Sequence, residues 1–186
     1  AFYFLTGHKD AANKLTLFGK IAHHSNGQDG NFYTDDGKVN LQSGNFATNY
    51  LELGFLQSSY SQNLKAFKFI KSSFEIHPKS WMLEELQGQY SGLRWHNTFL
   101  AYKLPMKTNP LPNEKQRANF SIKAETTIML DNFNNWNYFD AKRLNASLIL
   151  YYHPKFLEDI GFFVQFYHGM DYYNIYFQHQ ISSIRF

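Results

Sequence analysis

An all-β, antiparallel fold follows from three features of this 186-residue chain. Aromatic residues make up 19% of it, with 19 Phe and 13 Tyr, and such residues favour strands. Apolar and polar side chains alternate with period two over several long stretches, while helical heptads are lacking. Clusters of Gly, Asn, Asp and Ser separate those stretches, as turns and loops do. Nothing reads as an interdomain linker, so residues 1–186 form one domain.

Taken in order, AFYFL opens as a strand and GHKDAAN turns it. Residues 15–27 are a second strand, and residues 25–48 are too polar and too long for a hairpin turn, so they read as a large exposed loop. Residues 48–58 return, SYSQN turns the chain, and residues 64–76 set Ile70, Phe74 and Ile76 against Lys71, Ser73 and Glu75, with Lys68 out of pattern. Residues 77–88 are a second polar loop, and residues 90–104 a strand whose facing the pattern leaves open. Pro105, Pro110 and Pro112 forbid a central strand over 105–117. Residues 118–131 alternate cleanly, with Phe120, Ile122, Ala124 and Ile128 opposite Ser121, Lys123, Glu125 and Asp131. Residues 143–153 and 160–168 repeat this, and residues 174–186 are β-rich with a change of phase near Ser182.

Such strands suit a soluble sandwich with apolar residues inward, or a membrane barrel with apolar residues outward to lipid. Strands of roughly 9 to 13 residues match a bilayer crossing and exceed the soluble mode of about 5–6, which favours a transmembrane β-barrel. Tyr50, Tyr90, Tyr102, Trp136, Tyr152 and Tyr167 fall near strand ends, where an interfacial girdle lies. Mean hydropathy of −0.47 and no apolar run near 18 residues exclude a membrane helix but not a barrel, whose alternating strands average out. About nine strands are countable where bacterial barrels use even numbers, so some three further strands are expected to precede residue 1.

Composition removes other classes. There is no cysteine, hence no disulfide, thiol nucleophile or zinc-thiolate site. The net charge is +3 with scattered lysines, which does not fit a nucleic-acid partner.

Candidate chemistry lies in LTLFGKIAHHSNG. Counting by twos puts Leu15, Leu17, Gly19, Ile21, His23 and Ser25 on one face and Thr16, Phe18, Lys20, Ala22 and His24 on the other. His23 and Ser25 are thus the polar tip of an apolar stripe, and Asn49 is likewise the tip of the stripe Leu51, Leu53 and Phe55. If these strands form a hairpin, the three meet at one end of one wall, as a Ser nucleophile, a His base and an amide that orients the imidazole. His24 points the opposite way as a hydrogen-bonded inner residue, and Lys123, Glu125 and Asp131 are expected to form an inner network.

HHSNGQDG followed by NYLELGF resembles the outer-membrane phospholipase A family, whose motif is His, any residue, then Ser-Asn-Gly at a strand's outer end, with an Asn opening the next strand. His23, Ser25, Asn26 and Gly27 match it, Asn49 takes the orienting place, and GMDYYNIYF at 169–177 resembles the family's last hairpin. The resemblance implies a twelve-stranded barrel in the bacterial outer membrane, hydrolysis of membrane phospholipids by His23, Ser25 and Asn49 on the lipid-facing wall, an oxyanion site at Gly27, and a calcium-dependent homodimer. Gln28 stands where the family usually has Arg, and the loop to Asn49 is longer than the family's. Gln28, Asp29 and Asn45 are the candidate calcium ligands, with Asp35 and Asp36 further acidic candidates by chemistry. The alternative function is a non-enzymatic barrel, porin-like or structural, and a third reading is a soluble lipocalin-like barrel.

Overall fold

The computed structural model describes residues 2–6, 12–40, 42–61, 66–105, 119–154, 160–170 and 179–186. Nine strands form one antiparallel sheet in chain order: β1 (Phe2–Thr6), β2 (Asn13–Ser25), β3 (Ala47–Ser61), β4 (Ala66–Ile76), β5 (Leu93–Pro105), β6 (Asn119–Met129), β7 (Leu144–His153), β8 (Phe162–Met170) and β9 (Gln180–Arg185). Among the described residues the sheet is open, since β1 and β9 each pair with a single neighbour. Helical structure there is confined to three short 3-10 turns, and no helix is long and apolar enough to cross a membrane.

The expected strands are present, with shifted ends. β3 runs on through Ser59–Ser61, where a turn was expected, because these residues continue the ladder opposite Ala66, Phe67 and Lys68. β5 starts at Leu93 rather than near Tyr90, whose ring is drawn into a loop core. Its facing is now defined: Trp95 and Phe99 are exposed, while Arg94 faces Glu75. The register between β5 and β6 slips between Ala101 and Leu104, where Lys103 has a φ of 53°. That bulge breaks the alternation near the strand's end. Apart from Pro105, the proline-rich stretch 105–117 lies outside the described residues, as does most of 169–177.

Alternation sorts the side chains so that the polar face is the buried one. Glu52 is 3% exposed, Ser73 1% and Ser121 0%, whereas Ile21 is 64% exposed, Phe162 60% and Leu53 49%. The two faces are thus unequally covered, the polar one being the more enclosed. Buried charges are tolerable only when paired. Glu52 accepts from Lys20 at 2.7 Å, Lys71 at 2.8 Å and Ser73 at 2.7 Å, joining β2, β3 and β4. Further along this face Lys123 pairs with Glu125 at 3.0 Å. Asp131 stands apart from that pair: it accepts from Ser91 Oγ at 2.5 Å and Gly92 N–H at 2.7 Å. The expected inner network therefore holds for Lys123 and Glu125 but not for Asp131, which lies beyond the end of β6 and ties two loops together.

The loops after β2 and β4 share a small core of Phe32, Phe46, Leu86 and Tyr90, with Val39, Met82 and Leu83 against it. The segment after β2 is thus a folded cap and not simply an exposed loop. After β6, buried Arg143 donates to the carbonyls of Met129, Asp131, Trp136 and Asn137, closing the third loop at the same end. Both lysines around Glu52 are about one-third exposed. We therefore expect Glu52→Ala to destabilise the protein by about 2–3 kcal/mol, below the range for a fully buried network, as measured by denaturant unfolding.

Candidate functional site

β2 and β3 pair so that His23 lies directly opposite Asn49, and Ser25 opposite Ala47. His23 Nδ1 is 2.9 Å from Asn49 Oδ1. An amide oxygen only accepts, so Nδ1 carries the proton and donates it, leaving Nε2 as the basic nitrogen. Asn49 Nδ2 points the other way, 3.5 Å from the Trp81 carbonyl. Ser25 lies two residues further along the same exposed face, about 7 Å along the strand. No hydrogen bond joins Ser25 to His23 among the described residues.

Asn26 fixes the turn that follows. Its Nδ2 donates to the Gly44 carbonyl at 2.5 Å, and its Oδ1 accepts from Phe46 N–H at 3.0 Å and Gln28 N–H at 3.3 Å. Gly27 then turns with a φ of +67°, a conformation that disfavours a side chain although the space around it is open. A bridge between Gly30 and Gly44, with Asn45 N–H donating to the Gly30 carbonyl at 2.7 Å, ties Asn45 to the segment that follows Gln28 and Asp29. These three side chains offer one carboxylate and two amide oxygens, the donor class that calcium takes, but fewer than its usual 6–8 ligands. Among the described residues no three His, Cys, Asp or Glu side chains group to hold a metal ion. A complete shell would need loop carbonyls, water or a second copy. Asp36 is engaged by Lys38 at 2.5 Å and by Thr34, and these contacts hold its carboxyl below the usual range.

Directly below His23 on the same face runs an apolar groove of about 450 Å³, lined by Phe2, Leu17, Gly19, Ile21, Leu51 and Leu53 with Phe18 and Lys20. A larger groove, about 630 Å³, lies away from it across β6–β9. At its end His168, two residues from the end of β8 as His23 is from the end of β2, meets Ser182 at 2.9 Å. Sequence reasoning passed over this pair because the two residues stand in separate strands and gain their proximity only from register. Among the described residues His168 has no amide partner to orient it, which distinguishes it from His23. The His–amide pair is found at the smaller groove.

On the reverse of the sheet, His24 Nδ1 meets Tyr90 Oη at 3.1 Å and its ring lies edge-on to Phe46, the inner hydrogen-bonded position expected for it. Sequence reasoning also missed His77, which follows β4. Its Nε2–H donates to Glu75 Oε1 at 2.7 Å and its Nδ1 accepts from Thr48 Oγ1 at 2.9 Å, so Thr48, the neighbour of Asn49, is braced from inside. Its signal was a Glu-x-His spacing at a strand end, indistinguishable in sequence from any exposed pair. No family model, curated protein or solved structure matches this chain.

Burial lowers the pKa of His77 below its usual 6.5, aided by the charge of Arg94 and opposed by Glu75 and Asp131. The unfolded chain binds the proton more tightly, so the stabilisation present above about pH 6.5 is lost as pH falls through the folded-state pKa. We expect unfolding midpoints to drop below pH 6.5 in denaturant titrations, and His77→Gln to flatten that part of the profile.

Proposed function

We propose that this protein is a β-barrel phospholipase of the bacterial outer membrane, hydrolysing acyl ester bonds of membrane glycerophospholipids. The observation that carries the reading is the His23–Asn49 bond on an exposed apolar face, with Ser25 beside it and an apolar groove leading away. A face of this composition matches acyl chains better than water.

In this mechanism Ser25 Oγ attacks the ester carbonyl carbon while His23 Nε2 takes the hydroxyl proton. The tetrahedral intermediate collapses, the bond to the lyso-lipid oxygen breaks, and His23 returns the proton to that oxygen. Water then attacks the acyl-Ser25 ester with His23 again as base, releasing fatty acid and restoring Ser25. Asn49 keeps the proton on Nδ1, and stabilises the imidazolium that forms at each transfer. The backbone N–H near Gly27 supplies a donor to the oxyanion. Calcium held by Gln28, Asp29 and Asn45 would add positive charge near that oxyanion.

A nucleophile facing its own membrane needs a switch, and pairing of two copies supplies one. The exposed Leu15, Leu17 and Leu53, with half-buried Leu51, form a wall through which two barrels would meet and enclose an acyl chain.

Phospholipid hydrolysis in vesicles tests the reading. Ser25→Ala is expected to fall to background, and His23→Ala by about 10²–10⁴-fold, with smaller loss for Asn49→Ala. Heat-modifiable gel mobility should be unchanged in all three. Hydrolysis retained by Ser25→Ala would overturn the assignment. Chelation is expected to lower both the rate and the crosslinked dimer, and full activity in a calcium-free monomer would overturn the proposed switch.

A further inference from the structure

The two ends of the Asn49 amide are chemically different, and only one serves a base at His23. With Oδ1 toward the ring, Nδ1 keeps its proton and Nε2 is free to accept. Turned over, the amide would donate to Nδ1, the proton would sit on Nε2, and no basic nitrogen would remain for Ser25. What distinguishes the two orientations is the Trp81 carbonyl, 3.5 Å from Nδ2, which would meet an oxygen if the amide turned.

That carbonyl is held in a 3-10 turn at Lys79–Trp81, closed by Trp81 N–H to the Pro78 carbonyl at 2.8 Å. The segment is laid along the end of β3: Leu83 N–H donates to the Ala47 carbonyl at 3.1 Å, and Met82 pairs with Thr48. Its root is His77, 3% exposed, bonded to Glu75 on one side and Thr48 on the other. The ring packs 5.1 Å from Tyr50 and 5.3 Å from Tyr90.

We infer that His77 is a positioning residue. By pinning the 77–83 segment to Thr48, it holds the Trp81 carbonyl where that oxygen selects the Asn49 amide orientation, and through it the Nδ1–H tautomer of His23. The inference rests on the reading of His23 as the base for Ser25. His77 lies on the opposite face of the sheet and touches no substrate, so it acts only through Asn49.

Nitrogen-15 NMR of histidine-labelled protein in detergent micelles reads the tautomer directly, with the His23 signal assigned by its loss in His23→Ala. The rate of Ser25 modification by a fluorophosphonate reads the consequence. In His77→Leu the single Nδ1–H form of His23 should give way to a mixture, and modification should slow by up to about 10²-fold with unchanged reagent saturation. His77→Gln, which retains a donor and an acceptor, should restore both readouts. Thr48→Val removes the same anchor from the other side and serves where His77→Leu does not fold. A folded His77→Leu or Thr48→Val with the wild-type His23 tautomer overturns the inference. Absence of Ser25 modification in the wild-type protein counts against the hydrolase reading alone, and the tautomer then decides the role of His77.

Discussion

Charged side chains buried on one face of an antiparallel sheet need partners from the neighbouring strands, and that need sets the register of everything else. Glu52 is the clearest case, held between Lys20 and Lys71 with Ser73 beneath it. Lys20 lies directly opposite Glu52, three positions from the His23–Asn49 pair on the same two strands. A slip of one residue would strand the carboxylate and turn its strand's polar groups to the wrong face. The geometry of the candidate site is therefore maintained by an ion-pair network on the reverse of the sheet.

The same alternation leaves Leu17, Ile21, Leu53, Ile70, Phe74 and Phe166 exposed on the other face. In water so large an apolar surface is unfavourable, while against hydrocarbon it is the expected solvent-facing wall. The loops at one end act as a cap over the polar side. Their aromatic core reaches His77 through Tyr90 and places a loop carbonyl beside Asn49. The candidate site thus draws on both faces, with His23, Ser25 and Asn49 on the apolar side and Thr48 and His77 on the other.

Much of this was legible in residue order because period two is a strong signal in long strands. The facing of β2 and β3 follows from counting alone, and the sharing of one wall by His23 and Asn49 follows once the two strands are taken as a hairpin, while their direct opposition comes from the register. The facing of β5 was hidden by the bulge near Lys103, which breaks the period. The cap was hidden because Phe32, Phe46, Leu86 and Tyr90 come from two loops far apart in sequence and show no common periodicity. His77 was unreadable for a related reason: Glu75 is near it in sequence, but Thr48 becomes its partner only once β3 and β4 align. Asp131 was assigned to the inner network by alternation, but lies beyond the end of β6, where loop contacts decide its place.

In the proposed function the face bearing His23, Ser25 and Asn49 lies against lipid. The chain lacks cysteine, so single Cys substitutions report without background. Ile21→Cys and Phe74→Cys on the exposed face, and Ser73→Cys on the buried face, are labelled with an environment-sensitive fluorophore in phospholipid vesicles. With that placement, emission at positions 21 and 74 is expected to be blue-shifted, quenched by acyl-chain-brominated lipid and untouched by aqueous iodide, with lipid quenching absent at 73. Iodide quenching at 21 and 74 with no effect of brominated lipid would contradict it.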